Sequence, residues 1–368
     1  MAHLWLALSA HGYGHAAQAA PIVAELRARH PGLRVSVESA LPRELLERRF
    51  VPPPFDLVAA APDVGMLMHD ALAVDTAASC AAYRDFHRDW DGRVAAAARR
   101  LAAARPDLLL ADVPYLPLVA AARVGIPAVA VCSLHWGAIH AAYCDADEDA
   151  GAATQMLAAY RAARRFYRPA PAMPMPELDN VVDVGPIAEQ GRARHAELHA
   201  ALGLEAGVRL VLVALGGVPT RLPLANWPRV PGVHWLVQAD WGVAGDDIHP
   251  LEPLGWPFID LVASCDALLA KPGYGLFAEA ACHGVPVLAL PRADWPESAA
   301  LLDWLKRHGR CVEIDADQVR RGDLADALAT AWSCPGPPPP RPDGAATIAA
   351  DLDAWLGAPG PSLQAPLP

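Results

Sequence analysis

The chain has 368 residues, of which 54% are hydrophobic and 19% are charged, and its formal net charge is −11. Disordered chains combine low hydrophobicity with high charge, and proteins that bind nucleic acids usually carry a basic excess, so the composition argues against both classes. A net negative charge would also be repelled by an anionic membrane surface.

The first predicted element is a buried strand over residues 3–9. Its segment lacks the basic residues and the length of a secretory signal, and no later apolar run reaches the roughly 18–20 residues that a membrane helix needs. The cysteines are odd in number and form no CxxC pair, which argues against a disulfide framework and a structural zinc site. The sequence therefore predicts a cytoplasmic protein without a membrane span. The cysteines, most of them predicted core residues, are Cys80, Cys132, Cys144, Cys265, Cys282, Cys311 and Cys334.

A glycine-rich turn, HGYGH at residues 11–15, separates this strand from a helix predicted over residues 16–30. Glycines let the backbone approach a ligand, and the helix N-terminus adds free N–H groups and a partial positive charge. An imidazole can take a proton near neutral pH, so His11 and His15 are candidate general bases. The alternative is a tight turn with two incidental histidines, and the usual dinucleotide fingerprint GxGxxG is absent from this turn.

Strands alternate with helices through the rest of the first half. Unbroken apolar strands separated by helices indicate a parallel sheet covered on both faces, with ligands at the carboxyl ends of the strands. Asp112, at one such end, could line a cleft or cap a helix. Trp136, after the next strand, could be a core residue or a platform for a sugar ring. The predicted elements are strands over residues 33–38, 108–112 and 128–132, and a helix over residues 115–124.

The proline-rich segment at residues 168–177 (RPAPAMPMPE) predicts neither a helix nor a central strand, and we assign it to the approach to an interdomain linker. Strand signals then resume, and a second proline run, CPGPPPPRP, ends them before a last helix. The sequence thus predicts domains over residues 1–185 and 192–342, with the helix over residues 343–356 packing back on the first domain and a disordered tail over residues 357–368. The later strands are predicted over residues 210–215, 233–238, 267–270, 285–290 and 311–314.

Glycines again follow strands in the second half. Gly216 and Gly217 come after one predicted strand, and KPGYG at residues 271–275 lies between a strand and a helix. The second of these turns forms an anion site with the helix N-terminus. Lys271 could neutralise a phosphate or be solvated. Glu279 could bind the vicinal hydroxyls of a ribose or compensate the helix macrodipole on an exposed face.

The loop at residues 291–298 (PRADWPES) follows the next strand and places polar groups where an α/β sheet binds its ligands. Asp294 and Glu297 are therefore candidates for binding sugar hydroxyls. The alternative is a loop followed by an N-capped helix.

These motifs resemble those of glycosyltransferases with the GT-B fold, an α/β fold of two Rossmann-like domains with parallel sheets that face a central cleft. The second half is similar to the lipid-linked N-acetylglucosaminyltransferase group of peptidoglycan synthesis, in which a glycine-rich turn binds the diphosphate and a helix glutamate binds the ribose. Gly273, Gly275 and Glu279 match those positions. The HGYGH turn matches a glycine-histidine loop of that group, where the histidine is a candidate base.

A closer resemblance is to the glycosyltransferase-like N-terminal region of plant-type L-arabinokinases and similar bacterial proteins, and it extends over most of residues 1–356. That region carries an HG-aromatic-GH turn, a Ser-Asp-Val segment, a Ser-Trp segment and a K-x-GYG block. Here Ala111 and His135 stand at the two serine positions, and Pro296 precedes Glu297 where the region has two acidic residues. The phosphate loop of sugar kinases is not found, so the resemblance does not imply kinase activity.

The resemblance implies a metal-independent, inverting glycosyltransferase that needs no cofactor and uses a nucleotide diphosphate sugar as its substrate, with UDP favoured. The alternatives are a non-catalytic regulatory protein that binds a nucleotide sugar and a UDP-sugar epimerase with the GT-B fold. His11 or His15 would be the base. Because bulk charge offers an anion no attraction, backbone N–H groups would hold the diphosphate with few lysines or arginines involved. The implied donor-binding residues are Gly216, Gly217, Lys271, Gly273, Tyr274, Gly275, Glu279, Asp294 and Glu297, and the implied acceptor-binding residues are Gly12, Tyr13, Gly14, Asp112 and Trp136.

Overall fold

The computed structural model describes residues 1–12, 14–50, 54–70, 73–144, 146–216, 222–243 and 245–356. Tyr13, Gly217 and the tail predicted over residues 357–368 therefore lie outside the described residues. The chain divides into two compact units. The first comprises Met1–His69, Val74–Ile187 and the segment from Asp343 onward, and the second comprises Asp70–Ala73 and Ala188–Pro342.

The first unit is built on a parallel sheet. Within the described residues its strand order is β3-β2-β1-β4-β5-β6-β7, and every neighbouring pair is parallel. The central strands β1 and β4 are buried along their whole length because helices cover both faces of the sheet. In chain order the strands β1 to β7 are His3–Leu8, Arg34–Ser39, Asp56–Ala59, Leu108–Asp112, Ala128–Val131, Phe166–Pro169 and Val181–Val184.

Helices connect these strands. The Asp75 side chain accepts a hydrogen bond from the backbone N–H of Ala78 and so caps α3, and the His135 side chain caps α6 in the same way. The helices α1 to α7 are Gly14–Arg29, Arg43–Arg49, Thr76–Arg88, Trp90–Ala104, Leu116–Arg123, Trp136–Tyr143 and Ala146–Ala162.

The proline-rich segment begins inside a strand, contrary to the prediction. Arg168 and Pro169 end β6, which lies between β5 and β7 in the sheet. Pro169 is tolerated because it is the last residue of β6, and the ladder continues through the N–H of Ala170, which donates to the carbonyl of Val184 at 3.1 Å. The sheet of the first unit therefore extends further along the chain than the alternation of apolar runs indicates.

The second unit repeats the same construction. Within the described residues its sheet has the order β10-β9-β8-β11-β12-β13, again with parallel neighbours throughout. The strands β8 to β13 are Arg209–Ala214, Val233–Val237, Ile248–Pro250, Ala267–Ala270, Val287–Ala289 and Cys311–Glu313. The helices α8 to α13 are His195–Leu202, Phe258–Ser264, Tyr274–His283, Ser298–His308, Ala316–Arg321 and Ala325–Ser333.

The last helix, α14 (Gly344–Leu356), belongs to the first unit and packs against α1. Its buried face carries Ile348 and Leu352. Ion pairs flank this face: Asp353 contacts His30 at 2.5 Å, and Asp351 pairs with Arg165. A helix with one apolar stripe stays folded when another element, here α1, covers that stripe.

A disulfide joins Cys80 of α3 to Cys144, the residue that ends α6. Both cysteines are buried, as predicted, but the argument against disulfides is wrong for this pair. Disulfides persist mainly in oxidising compartments, so the cysteines no longer support the predicted cytoplasmic location. No helix among the described residues is both long enough and apolar enough to cross a bilayer.

Candidate active site

The sheet order of the first unit brings the HGYGH turn next to Asp112. Strands β1 and β4 are parallel neighbours in which Leu8 faces Asp112, and the N–H of Ser9 donates to the Asp112 carbonyl at 2.9 Å. Both strands end at the same edge of the sheet, and α1 begins there. His15, in the first turn of α1, therefore meets the Asp112 side chain. Nδ1 of His15 lies 2.9 Å from Oδ1 of Asp112, and both residues are buried.

The protonation of this pair follows from its surroundings. Burial raises the pKa of Asp112, while the hydrogen bonds from His15 and from the Cys132 thiol lower it. We assign Asp112 as a carboxylate that accepts a hydrogen bond from the protonated Nδ1 of His15. In that tautomer Nε2 of His15 carries the lone pair, which is the state that a general base requires.

Cys132 completes a compact polar cluster with this pair. Its Sγ lies 3.8 Å from Nδ1 of His15, and one ligand atom from each of the three residues falls within 4.8 Å of the others. Atoms this close could in principle share a metal ion. Because His15 Nδ1 and Asp112 Oδ1 are already bonded to each other, we assign the cluster to a hydrogen-bonded unit and place no metal in it.

His11 is held in a different state from His15. Its Nδ1 accepts a hydrogen bond from the backbone N–H of Met66 at 3.2 Å. A backbone N–H can only donate, so the proton of a neutral His11 ring is on Nε2. Gly65 makes this approach possible: its φ is +68°, and a Cβ there would lie 2.7 Å from Cβ of His11. The structure thus distinguishes the two candidate bases, because Nδ1 of His15 contacts a carboxylate and Nδ1 of His11 accepts from a backbone N–H.

Trp136 forms a wall of this site. It is fully buried, which fits the core alternative and not an exposed platform for a sugar ring. Its ring centroid lies 5.1 Å from that of His11 and 6.0 Å from that of His15. Its Nε1–H donates to Oδ2 of Asp63 at 2.7 Å. Asp63 is a buried carboxyl group for which the sequence offers no motif, and the sequence analysis does not include it.

His135, which stands at one of the two serine positions of the L-arabinokinase pattern, has a structural role. Its Nδ1 accepts from the N–H of Ala138 at 3.2 Å, and its Nε2 contacts Glu177 at 2.6 Å. Burial lowers the pKa of His135, and Glu177 opposes that shift. His135 therefore caps α6 as a serine would, and it fixes the helix that presents Trp136. The other departure, Ala111, is a buried residue of β4.

In the second unit, neighbouring strands end in a group of charged side chains. Gly216 follows β8 and Lys271 follows β11, its parallel neighbour. Gly216 has φ +90°, and a Cβ there would lie 3.3 Å from Cε of Lys271. Burial and, to a smaller extent, the charge of Arg292 lower the pKa of Lys271 to about 8, while Glu297 acts in the opposite direction. Lys271, Arg292 and Glu297 therefore interact as one group.

The loop before α11 arranges this group. Arg292 is buried with its Cζ 4.7 Å from the ring centre of Trp295, and Nε1 of Trp295 donates to Glu297 at 3.3 Å. Asp294 is half exposed, 3.9 Å from Nε of Arg292. The loop thus brings Glu297 to the charged group and leaves Asp294 at the surface.

Helix α10 begins beside Lys271. Its first residue is Tyr274 and its N-cap is Gly273, so Gly275 lies in the first turn, where backbone N–H groups have no partner within the helix. Glu279 lies further along the same helix and is buried. It is therefore not on an exposed face, as the macrodipole alternative requires. In the first unit, Gly12 has φ +79° and Gly14 begins α1.

Comparisons with known proteins agree with this architecture. No family model matches the chain. Among curated proteins, L-arabinokinase from Arabidopsis thaliana is 25% identical over an alignment of 344 residues that covers 89% of this chain and 32% of that protein. The chain thus spans about a third of the length of that relative.

Two glycosyltransferases are among the solved structures that share the fold. The calicheamicin glycosyltransferase CalG4 has a TM-score of 0.61 at 18% identity, with 97% of this chain and 98% of that chain covered. UGT89C1 from Arabidopsis thaliana, complexed with UDP, has a TM-score of 0.60 at 15% identity, with 97% and 100% covered.

A UDP-N-acetylglucosamine 2-epimerase described as putative, from Listeria monocytogenes, also matches. Its TM-score is 0.54 at 13% identity, and 96% of each chain is covered. Together with the two parallel sheets, these likenesses confirm the predicted fold class. The chain has the GT-B fold, with one Rossmann-like sheet in each unit.

Proposed function

We propose that this protein is a glycosyltransferase that moves a sugar from a nucleotide diphosphate donor to the hydroxyl group of an acceptor. The buried pair of His15 and Asp112 is the observation that carries the proposal. A histidine whose Nδ1–H is bonded to a carboxylate is oriented and stabilised as a base, as in other enzymes that deprotonate a hydroxyl nucleophile.

In the proposed reaction, Nε2 of His15 accepts the proton of the acceptor hydroxyl while that oxygen attacks the anomeric carbon of the donor sugar. The bond from this carbon to the diphosphate breaks, and its electron pair leaves with the nucleoside diphosphate. Asp112 stabilises the imidazolium that forms. A single displacement of this kind inverts the anomeric carbon. His11, with its proton on Nε2, serves as a hydrogen-bond donor and not as the base.

We propose that the second unit binds the donor. The N-terminus of α10 offers backbone N–H groups to the diphosphate, and the partly buried Lys271 and the buried Arg292 add two positive charges. Glu279 would bind the ribose, and Asp294 and Glu297 would contact the sugar. The helix N-terminus and the two cations can neutralise the leaving group without a divalent metal.

UDP is the proposed nucleotide, since the GT-B fold of this chain is shared with a glycosyltransferase solved in complex with UDP. Kinase activity forms no part of the proposal, because the chain matches only about a third of L-arabinokinase. The deciding experiment incubates the purified chain with UDP-, GDP- and TDP-sugars and a panel of sugar, polyol and phenol acceptors. Release of nucleoside diphosphate together with a new glycoside supports the proposal, and added EDTA should leave the rate unchanged.

Two other outcomes would replace the proposal. A UDP-sugar converted into its epimer, or a free epimerised sugar without a glycoside, would indicate an epimerase, an activity named for one of the fold's neighbours. Saturable binding of a nucleotide sugar without turnover on any acceptor would indicate a binding protein. His15→Gln is the matched control, since it should abolish transfer and leave donor binding intact.

A further inference from the structure

A second buried carboxyl group, Asp63, is bonded to Trp136, whose ring centroid lies 6.0 Å from that of His15. It belongs to the segment that follows β3, and two donors hold it: Nε1 of Trp136, at 2.7 Å, and the side chain of Ser9. An indole N–H can only donate, so the bond from Trp136 favours the ionised carboxylate. Burial raises the pKa of Asp63 overall, while the bonds from Ser9 and Trp136 and the charge of the His15 imidazole lower it and so favour the carboxylate.

The pair of Asp63 and Trp136 also shapes the space around His15. Nε1 of Trp136 is bonded to Asp63, and the Trp136 ring contacts the rings of His11 and His15. The backbone N–H of Met66, three residues after Asp63, holds Nδ1 of His11. One short segment of chain therefore contacts His11 directly and His15 through Trp136.

We propose that Asp63 is a positioning residue whose carboxylate, together with that of Asp112, stabilises the charged form of the His15 imidazole. This inference rests on the proposed function of His15 as the base. Asp112 bonds to Nδ1 and fixes the tautomer, while Asp63 acts through space and through the Trp136 ring. A buried imidazole that must become an imidazolium gains from two carboxylates in a site of low dielectric constant.

Several elements of the first unit place titratable side chains near His15, Asp63 or Trp136. The tyrosines coupled to Asp63 are neutral at physiological pH because burial raises the pKa of each phenol well above its usual value. Asp112 is a second carboxyl group in these surroundings, and it bonds directly to Nδ1 of His15. The groups that interact with His15, Asp63 or Trp136 are Asp112 at the end of β4, Cys132 after β5, His11 before α1, Tyr83 of α3, Tyr115 before α5 and Tyr160 of α7.

The test is a titration of the His15 imidazole by NMR in the full chain with labelled histidine, in which the His15→Gln spectrum assigns the signal. Asp63→Asn keeps an oxygen for the Trp136 bond and removes the charge, so the pKa of His15 should fall by about half a unit to one unit. Asp75→Asn is the control, because it removes the carboxylate that caps α3 but keeps an oxygen for the cap, and it should leave the titration unchanged.

Trp136→Phe provides a second variant. It removes the Nε1 donor and keeps an aromatic ring, which favours protonation of Asp63, so the pKa of His15 should move in the same direction by a smaller amount. An unchanged titration in both variants overturns the proposal. The measurement needs no substrate, so it separates this inference from the proposed function.

With an active enzyme, the pH profile adds an independent measurement. The base works when it is unprotonated, so kcat/KM rises with pH through the pKa of His15. In Asp63→Asn this acidic limb should move to lower pH by the shift seen in the titration, while the plateau rate falls because the imidazole is a weaker base. A lower rate with an unmoved limb would show that Asp63 acts only as a structural support, and would also overturn the proposal.

Discussion

His15 and Asp112 are 97 positions apart in the chain, yet Nδ1 of one lies 2.9 Å from Oδ1 of the other. Their meeting is a consequence of strand order. β1 and β4 are neighbours in the sheet, so the turn after the first and the last residue of the second lie at the same edge. The pairing gives a buried imidazole both an orientation and a counter-charge.

The first prediction concerns this pair. His15→Gln and Asp112→Asn should each lower kcat by about 10²–10⁴-fold, because the first removes the base and the second its ionised partner. Donor affinity, measured by calorimetry with UDP, should not change in either variant. The companion variant His11→Gln keeps a side-chain N–H donor and should retain at least a tenth of the wild-type kcat. Full turnover in His15→Gln would contradict the mechanism.

Lys271 should make donor binding depend on pH. Its pKa of about 8 means that the ammonium is lost as the pH rises through that value, and affinity for a diphosphate should fall with it. Lys271→Met should bind UDP at least about tenfold more weakly at pH 7 and show a flat profile from pH 7 to 9. Lys306→Met, which removes an exposed lysine paired with Glu313, should leave the binding unchanged.

Lys271→Met should weaken UDP binding, but it should not lower the thermal stability of the protein. The pKa of Lys271 is lower in the folded chain than in the unfolded chain, so charged Lys271 costs stability below pH 8, and this cost disappears as the pH rises toward 10.5. Lys271→Met should therefore melt at the same or a higher temperature than wild type at pH 7. A large loss of thermal stability would show that the lysine is a structural residue.

Glu279→Gln tests the ribose site. Loss of a carboxylate that accepts from vicinal hydroxyls should weaken UDP binding about tenfold or more, with little change in melting temperature because the side chain keeps its shape. Inorganic pyrophosphate, which has no ribose, should bind the variant as it binds wild type. Equal weakening for both ligands would place Glu279 near the diphosphate instead.

The disulfide predicts a redox-dependent stability. Cys80 and Cys144 close a loop with a separation of 64 residues, and a cross-link of that length contributes about 4 kcal/mol in the chain-entropy account. A double variant, Cys80→Ser with Cys144→Ser, should melt well below wild type, and dithiothreitol should lower wild type to the same temperature. Cys334→Ser, at an exposed free cysteine, is the control. Mass spectrometry that finds both thiols free would contradict the bond.

Much of the fold could be predicted from local patterns. The unbroken apolar runs that became β1 and β4 indicate a parallel sheet by themselves, because only strands buried on both faces lack polar alternation. The strand β6 was hidden because its last residues, Arg168 and Pro169, open a proline-rich stretch. Each proline lacks a backbone N–H donor, but a sheet tolerates a missing donor at the end of a strand.

The candidate site was predicted in part, and the missing part depends on contacts distant in the chain. His15 follows from its position at a glycine-rich turn before a helix. Asp112 was assigned to acceptor binding, because its pairing with His15 depends on which strand neighbours β1. Asp63 belongs to no motif, and only its burial against Trp136 distinguishes it from a surface carboxylate. Arg292 and Lys271 are likewise brought together by neighbouring strand ends.

The return of α14 to the first unit has a consequence for how the chain unfolds. Since the chain both starts in the first unit and re-enters it at Asp343, the second unit is in large part an insertion within the first. Such an inserted domain can melt by itself while its host stays folded, whereas melting of the host releases both ends of the insert. Calorimetry should then resolve two transitions, and deleting the chain from Asp343 onward should lower the one that belongs to the host.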